Sequence, residues 1–322
     1  VKAVVIRGPG GPEMLELRDV PDPAPKPGEV LIDVVAAGLN RADVQQRRGV
    51  YPPPLGASEY PGLEVSGRIS DPNGSALAAG TEVVALLSGG GYAEKVAVPA
   101  GQVLRAPDGV GLVEAAALPE TAATVYSNLF MTAGLQRGET VLVHGGAGGI
   151  GTMAIQLARA FGAVPLVTAG SPDKLRLAAS LGAAAMNYRE QDFVEEVRAA
   201  TGGTGADVIL DVVGAKYLDR NIQALAVGGR LVVIGLQGGA TAEVNLGALM
   251  TKRASIAGST LRARPPKQKA EIMAAVEREV WPLVAAGRVR PLVGRTFPLA
   301  GAAAAHEYFD SGEHTGKILL TV

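Results

Sequence analysis

Thr140-Val141-Leu142-Val143-His144-Gly145-Gly146-Ala147-Gly148-Gly149-Ile150-Gly151-Thr152 is the stretch on which the fold turns. Its apolar start reads as a buried strand. The glycine run reads as a tight turn, and Thr152 to Phe161, closed by Gly162, reads as a helix. Inside it lies G-x-G-x-x-G at Gly146, Gly148 and Gly151. Alone that motif is weak, and a merely flexible turn is its plain alternative. Between a strand and a helix it acquires a purpose. One glycine makes the turn, another lets the main chain approach a pyrophosphate, and the last lets helix and strand pack closely. The amides of the turn, with Ala147, Gly149 and Ile150, and the helix dipole then face an anion.

The same rhythm continues downstream. Val164 to Thr168 reads as a strand, and a helix follows with Ser171 as N-cap, Pro172 at its first position and Gly182 at its close. Ala185 to Tyr188, Val208 to Val213 and Leu231 to Gly235 read as strands, Phe193 to Ala200 as a helix, and Ala254 to Ser259 as an edge strand. Near-continuous apolar strands separated by helices predict a doubly wound parallel sheet covered on both faces, a Rossmann domain in an α/β protein. Upstream, short apolar runs such as Val30 to Val35 alternate with proline and glycine, so residues 1–118 read as β-rich. A helical stretch from 119 to about 137 leads into the sheet. The tail carries a long helix, Lys267 to Ala286, and a closing strand, Lys317 to Val322. The predicted domains are 1–118, 119–262 for the cofactor domain, and 263–322, which returns to the first.

Which dinucleotide the turn accepts is read from the end of the second strand. Enzymes that use NADH place an acid there for the ribose hydroxyls. Here the chain runs Thr168-Ala169-Gly170-Ser171 with no acid, and Lys174 follows one helical turn on. A small polar residue and a cation suit a 2′-phosphate, which a carboxylate would repel, so NADPH is the expected cofactor. Ser171 as a plain helix cap and Lys174 as a surface lysine are the alternatives.

Composition narrows the classes further. The chain has 322 residues, too many for one comfortable core, with a formal net charge of −1 and no basic stripe to point to nucleic acid. There is no cysteine, so neither disulfides nor thiolate zinc sites are available. The first residues read as a strand and no run is apolar enough to span a membrane, which makes the cytoplasm the expected location. Gly62-Leu63-Glu64-Val65-Ser66-Gly67 is similar to the G-H-E-x-x-G of medium-chain zinc alcohol dehydrogenases but has leucine where they place a metal-binding histidine. His144, His306 and His314 lie far apart and have no metal-ligand spacing, so no catalytic metal is expected. Without a Lewis acid the substrate should accept hydride readily, as quinones and activated enones do.

Taken with Leu39-Asn40-Arg41-Ala42-Asp43, Gly49-Val50-Tyr51-Pro52-Pro53-Pro54, Gly62-Leu63-Glu64, Val167 to Ser171, Asn187-Tyr188 and Gly316-Lys317-Ile318, the sequence resembles the zinc-free quinone oxidoreductases of the medium-chain dehydrogenase/reductase superfamily. It is most similar to the p53-inducible group, with zeta-crystallin more distant, and the resemblance covers essentially the whole chain. It implies a GroES-like catalytic domain with the Rossmann domain inserted, and NADPH in the cleft between them. It implies that Asn40 and Asp43 line the nicotinamide side and that Tyr51 lies near the quinone. Asn40 and Tyr51 are the candidate hydrogen-bond donors. Thr124 would touch the nicotinamide half of the cofactor. Gly170, Ser171, Lys174 and Tyr188 would hold its 2′-phosphate end, Leu236 to Gly238 and Thr260-Leu261-Arg262 would close over the nicotinamide, Val213 and Gly235 would belong to the cofactor site, and Arg262 could bind phosphate. It also implies a homodimer through the edge strand near Ala254 to Ser259. Each residue has a plainer reading: Asn40 and Asp43 as helix caps, Asp43 in a surface pair with Arg41, Tyr51 as packing, Glu64 as a structural hydrogen-bonding acid and Arg262 as a loop residue. Reduction of enones or alkenals on the same scaffold is the rival reaction, single-electron transfer the rival electron flow, and a non-catalytic NADPH-binding protein the rival of another class.

Overall fold

The structure, a computed structural model, describes all 322 residues. Strands β1 (Lys2–Ile6) and β2 (Leu15–Asp19) form an antiparallel pair. The long β3 (Glu29–Leu39) shows why this region is β-rich. Val30, Ile32 and Val34 are buried on one face while Asp33 between them is exposed, the period of two that a half-buried strand requires. It pairs antiparallel with β4 (Glu64–Asp71), which continues to β5 (Glu82–Leu86); β6 (Lys95–Pro99) pairs with β3, and β7 (Val103–Arg105) with β5.

The parallel sheet follows. Its strands are β8 (Thr140–His144), β9 (Val164–Ala169), β10 (Ala184–Asn187), β11 (Ala206–Asp211), β12 (Leu225–Val233) and β13 (Ser255–Gly258), in the spatial order β10-β9-β8-β11-β12-β13. Every neighbouring pair is parallel. Val141, Leu142, Val143, Val208, Ile209 and Leu210 are completely buried, as strands covered on both faces must be. The order reverses at β8, whose neighbours are the next strand in sequence on one side and β11 on the other. Ligands of such sheets bind at the carboxyl ends of the strands at that reversal, where the glycine turn lies.

The chain closes with β14 (Val293–Pro298) and β15 (Lys317–Thr321). Strand β15 lies antiparallel to β3, giving a seven-stranded sheet with the path β14-β15-β3-β4-β5-β7. Two compact units result, Val1–Ala123 with Leu261–Val322, and Thr124–Thr260. Pro119 to Ala123, Leu261 and Arg262 lie in the first unit. Its core gathers Val30, Ile32, Leu39, Val65, Val83, Ile318 and Leu320; that of the second gathers Leu142, Phe193, Ile209 and Leu231.

Several elements differ from the expected ones. The helix after the glycine turn is Gly149–Ala160, so Gly149, Ile150 and Gly151 form its first turn. The predicted helix from 119 is α-helical over Pro119–Tyr126 and then widens to a π-turn over Ser127–Thr132. Strand β11 stops at Asp211, because its carboxylate accepts the Val213 and Gly214 amides and bends the chain (2.7 and 3.0 Å). Strand β12 starts earlier than expected and ends at Val233, before Gly235. The long C-terminal helix is two, Pro266–Glu279 and Trp281–Ala285, divided before Pro282, which has no amide hydrogen to carry the ladder across.

Candidate active site

The glycine turn follows from local sterics. A Cβ on Gly146 would lie 2.6 Å from the Val167 Cβ of β9, and one on Gly151 would lie 2.6 Å from the Gly146 Cα, so both positions exclude any side chain. Gly148 is different. It caps the helix at φ −80°, and the nearest atom to an added Cβ is 3.9 Å away. The protein therefore does not need glycine at 148 for its own packing, whereas a ligand approaching the main chain there does.

Across from the turn, Ser171 caps the helix Pro172–Ser180 in position only, for its side chain makes no capping bond. Its hydroxyl is thus not taken by the helix. Lys174 is half-buried, and its ammonium is pushed below its ordinary value by burial first and by the charge of Arg189 second. Two cations held near each other favour an anion between them. Tyr188, past the end of β10 and exposed, lies over Gly170, where a Cβ would sit 2.5 Å from the Tyr188 hydroxyl oxygen. Gly170 is small so that Tyr188 can lie there. Ser171, Lys174 and Tyr188 belong to one lip of the second unit. Arg189 adds a cation that sequence reading passed over, although its place beside Asn187-Tyr188 was a visible signal.

Elsewhere in this unit, the turn after β12 folds onto the end of β11. The Gly238 amide donates to the Val213 carbonyl (2.6 Å), and Gly235 packs so closely on Val212 that a Cβ would lie 2.8 Å from its carbonyl oxygen. Val213 and Gly235 are thereby brought together, and Leu236 beside them is exposed. Thr124 is buried, and its carbonyl accepts from the Ser127 hydroxyl and the Asn128 amide (3.3 and 2.7 Å). His144 is buried and held near pH 4 by desolvation; its ring bonds Thr168 and Asn221 (3.0 and 2.8 Å), a satisfied core histidine.

In the first unit the polar residues form a buried network. Asn40 donates from Nδ2 to Glu64 Oε1 (3.0 Å) and the Gly38 carbonyl (3.3 Å), and its Oδ1 accepts from Lys317 Nζ (2.7 Å). Both amide hydrogens are in use, so Asn40 is not the hydrogen-bond donor to substrate that the sequence proposed. Lys317 also donates to the Leu39 carbonyl (2.9 Å) and to Glu64 (2.5 Å). Glu64 is completely buried, and its other oxygen accepts the Glu120 amide (2.9 Å), confirming its reading as a structural acid. The signal missed in the sequence was Lys317, a lone lysine in an apolar closing strand.

Asp43 is completely buried and accepts the Gly62 and Asn40 amides (both 2.8 Å) and the Tyr92 hydroxyl (3.4 Å). Desolvation raises its carboxyl to about 6, against the pull of those amides. Neither a surface pair with Arg41 nor direct contact with substrate fits this burial; Arg41 lies over the Phe309 ring instead (4.7 Å). Behind Asp43 the bonds point one way. Arg47 can only donate, so His306 Nδ1 accepts from it (3.2 Å), which leaves the Nε2 hydrogen for Tyr92 (3.3 Å), whose hydroxyl then serves Asp43. His306, buried and neutral with its pKa down to about 3, relays orientation rather than charge.

Arg262 also needs correction. It is 3% exposed, and its three nitrogens donate to the Ser88 carbonyl (2.8 Å), the Tyr51 carbonyl (3.4 Å) and Gln46 (2.6 Å). It braces the Tyr51 loop, lying 5.4 Å from that ring, and is not offered to a phosphate. Leu261 beside it is buried. Tyr51 is half-buried, with its phenol raised by burial and its hydroxyl unused within the protein. Glu120, in the first turn of its helix, is an acid that sequence reading missed. Burial and then Glu64 push its carboxyl up to about 8, against the pull of Lys317 and Lys269.

No three His, Cys, Asp or Glu side chains come together as a metal site, and Glu64 is occupied by Lys317 and Asn40. The donor set does not fit a zinc ion.

A doubly wound sheet with a glycine turn at its reversal, joined in sequence to a β-rich unit with a buried polar network, defines a dinucleotide-dependent dehydrogenase or reductase. The chain matches the alcohol dehydrogenase GroES-like domain over residues 26–108 and the zinc-binding dehydrogenase domain over 149–278. It is 33% identical to a quinone oxidoreductase of Homo sapiens, over 99% of this chain and 97% of that one. Among solved structures it resembles an Escherichia coli quinone oxidoreductase complexed with NADPH (TM-score 0.90, 31% identity, 100% of both chains) and CurK enoyl reductase (TM-score 0.87, 29% identity, 99% and 98%). This chain belongs to the quinone oxidoreductase family of medium-chain dehydrogenases/reductases.

Proposed function

We propose that the protein is an NADPH:quinone oxidoreductase that works without a metal. The observation that carries this reading is the lip beyond the glycine turn: Ser171 with its hydroxyl outside the helix cap, Lys174 and Arg189 in each other's field, and no acid at the end of β9. A ribose 2′-phosphate answers that lip, and the E. coli relative complexed with NADPH supports it. The bound cofactor supplies a hydride. The protein binds and orients. The turn at Gly146 to Gly151 holds the pyrophosphate, Ser171, Lys174 and Tyr188 hold the phosphate end, and Tyr51 offers its hydroxyl to the acceptor oxygen. Asn40 and Asp43 act as positioning residues, fixed by Lys317, Glu64 and the Tyr92–His306–Arg47 chain. The assembly is a homodimer joined through the edge strand β13, where Ile256, and Leu246 and Met250 on the preceding helix, are exposed.

The likeness to CurK enoyl reductase supports a second reading, reduction of an activated C=C bond. Turnover with NADPH and NADH against panels of quinones and enones separates the two. Quinones with NADPH should give the highest kcat/KM, unchanged after dialysis against a chelator. Faster enone turnover would favour the second reading, and NADPH binding without turnover a non-catalytic protein.

A further inference from the structure

The first unit encloses a cavity of about 540 Å³. Every residue that lines it belongs to that unit, and Asn40, Asp43, Tyr51 and Glu120 are not among them. Its size is that of a small-molecule site. The walls are stiff and apolar, built from Val20, Pro21, Val96, Val98, Pro99 and Pro265. The charge is one-sided: Lys26, Lys95, Arg262, Arg264 and Lys269 line it against the single carboxylate of Glu29. Two of these cations are already engaged, Lys95 with Asp33 (3.1 Å) and Arg262 with Ser88, Tyr51 and Gln46.

Lys269 is the unusual one. On the helix Pro266–Glu279 it shares the buried face with Ile272, Met273 and Val276, at a spacing of i, i+3, i+4 and i+7 that apolar side chains ordinarily fill. It is 1% exposed. Its ammonium donates to the Ser88 hydroxyl and forms no ion pair with any carboxylate of the protein. Ser88 in turn donates to the Arg262 carbonyl (3.3 Å), so it offers Lys269 a lone pair and no charge. An ammonium has three hydrogens, and two of these find no acceptor in the protein. A buried charge left in that state is costly. Burial lowers Lys269 to about 8, Glu120 pulling it up and Arg262 pushing it down, so it still carries its charge at neutral pH. The turn Ala100–Gln102 packs on the same helix, where a Cβ on Gly101 would lie 2.9 Å from the Ala270 Cβ. Their neighbours Gln102 and Lys269 thus share one wall, and the buried Gln102 has no partner for its Oε1. Pro265 and Pro266 also line the cavity, which turns the positive end of the helix dipole towards it.

We propose that this cavity binds a small monocarboxylate with an apolar body, its carboxylate on Lys269 and its ring or chain against the proline and valine walls. One buried ammonium balances one negative charge, and the walls reward a body that covers them. Lys26, exposed among the lining residues, draws the anion in. Pro54 to Ser58 line the cavity and follow Tyr51 in the chain, and Arg262 holds the Tyr51 carbonyl, so an occupant bears on the loop that carries Tyr51.

Calorimetric titration of 2-naphthoate at pH 7 tests this, with 2-naphthamide as the uncharged counterpart and inorganic phosphate as an anion without an apolar body. 2-Naphthoate should bind at least about tenfold more tightly than either. Lys269→Met keeps the chain and removes the charge. It should weaken 2-naphthoate by about tenfold or more and leave 2-naphthamide within about twofold. Saturating NADPH should not displace 2-naphthoate. Equal binding of acid and amide, tighter binding of phosphate, displacement by NADPH, or a preference that survives in Lys269→Met each overturns the proposal. If Lys269→Met does not fold, a crystal structure of the wild type with 2-naphthoate decides. The carboxylate should lie on Lys269 beside Ser88, and a ligand seated elsewhere, or none bound, overturns the proposal. None of these readouts requires turnover, so the quinone-reductase reading stands or falls separately.

Discussion

Lys317 carries more of the first unit than any neighbour in sequence indicates. It is 5% exposed and joins β3 to β4 by bonding Leu39, Asn40 and Glu64 at once. Lys317→Met should strand the Glu64 carboxylate in the interior and cost about 3–5 kcal/mol, read by urea unfolding; Lys317→Met with Glu64→Gln should recover much of that loss. At the cofactor lip, Lys174→Ala should lower the ratio of NADPH to NADH kcat/KM by roughly tenfold, the effect of about 1.4 kcal/mol, and an unchanged ratio would remove Lys174 from the phosphate site. The placement of the glycines, Ser171 and Lys174 around one turn and the next helix could be read from the sequence because these residues lie within one β-α-β segment. Lys317, Glu120 and the bracing role of Arg262 could not, because each acquires its chemistry from residues far along the chain.

At the scale of elements, the parallel strands were the most legible part, since burial on both faces writes itself as unbroken apolar runs. Boundaries were read less well where local chemistry intervened. Glycines disguised the first turn of the helix Gly149–Ala160, the Asp211 carboxylate ended β11 early, and Pro282 divided the C-terminal helix. Gly151→Ala should disturb the packing of that helix on the turn, because its Cβ would meet the Gly146 main chain; a thermal midpoint within a degree of wild type would contradict this. The edge strand β13 has no neighbour beyond it. Ile256→Lys should convert the proposed dimer to a monomer in light scattering after gel filtration, and a wild type already monomeric would refute the assembly.

A few buried titratable groups of the whole molecule bear on its acid stability. His144 and His306 are depressed to about 4 and about 3, so the unfolded chain takes up their protons first as pH falls below 6.5, and stability is lost. Asp43 and Glu120 oppose this, because their raised carboxyls bind protons in the folded state first. The two effects nearly offset over this window, so the loss due to the histidines should show once an opposing acid is removed: in Glu120→Gln the thermal midpoint should fall further between pH 6.5 and 4 than it does in the wild type. A midpoint in that variant that is flat or rises as pH falls would show that the histidines are not neutral in the interior. The proposed function rests on a single binding event at the reversal of the parallel sheet, and fluorescence titration of NADPH into the wild type and Gly148→Val tests it most directly. A Cβ at 148 comes no nearer to the protein than 3.9 Å, at the Gly145 carbonyl oxygen, so the account predicts a folded variant whose NADPH affinity falls at least about 100-fold, roughly 2.7 kcal/mol, against a wild type that binds in the micromolar range. Equal affinity in the two proteins, or no binding by the wild type, would contradict it.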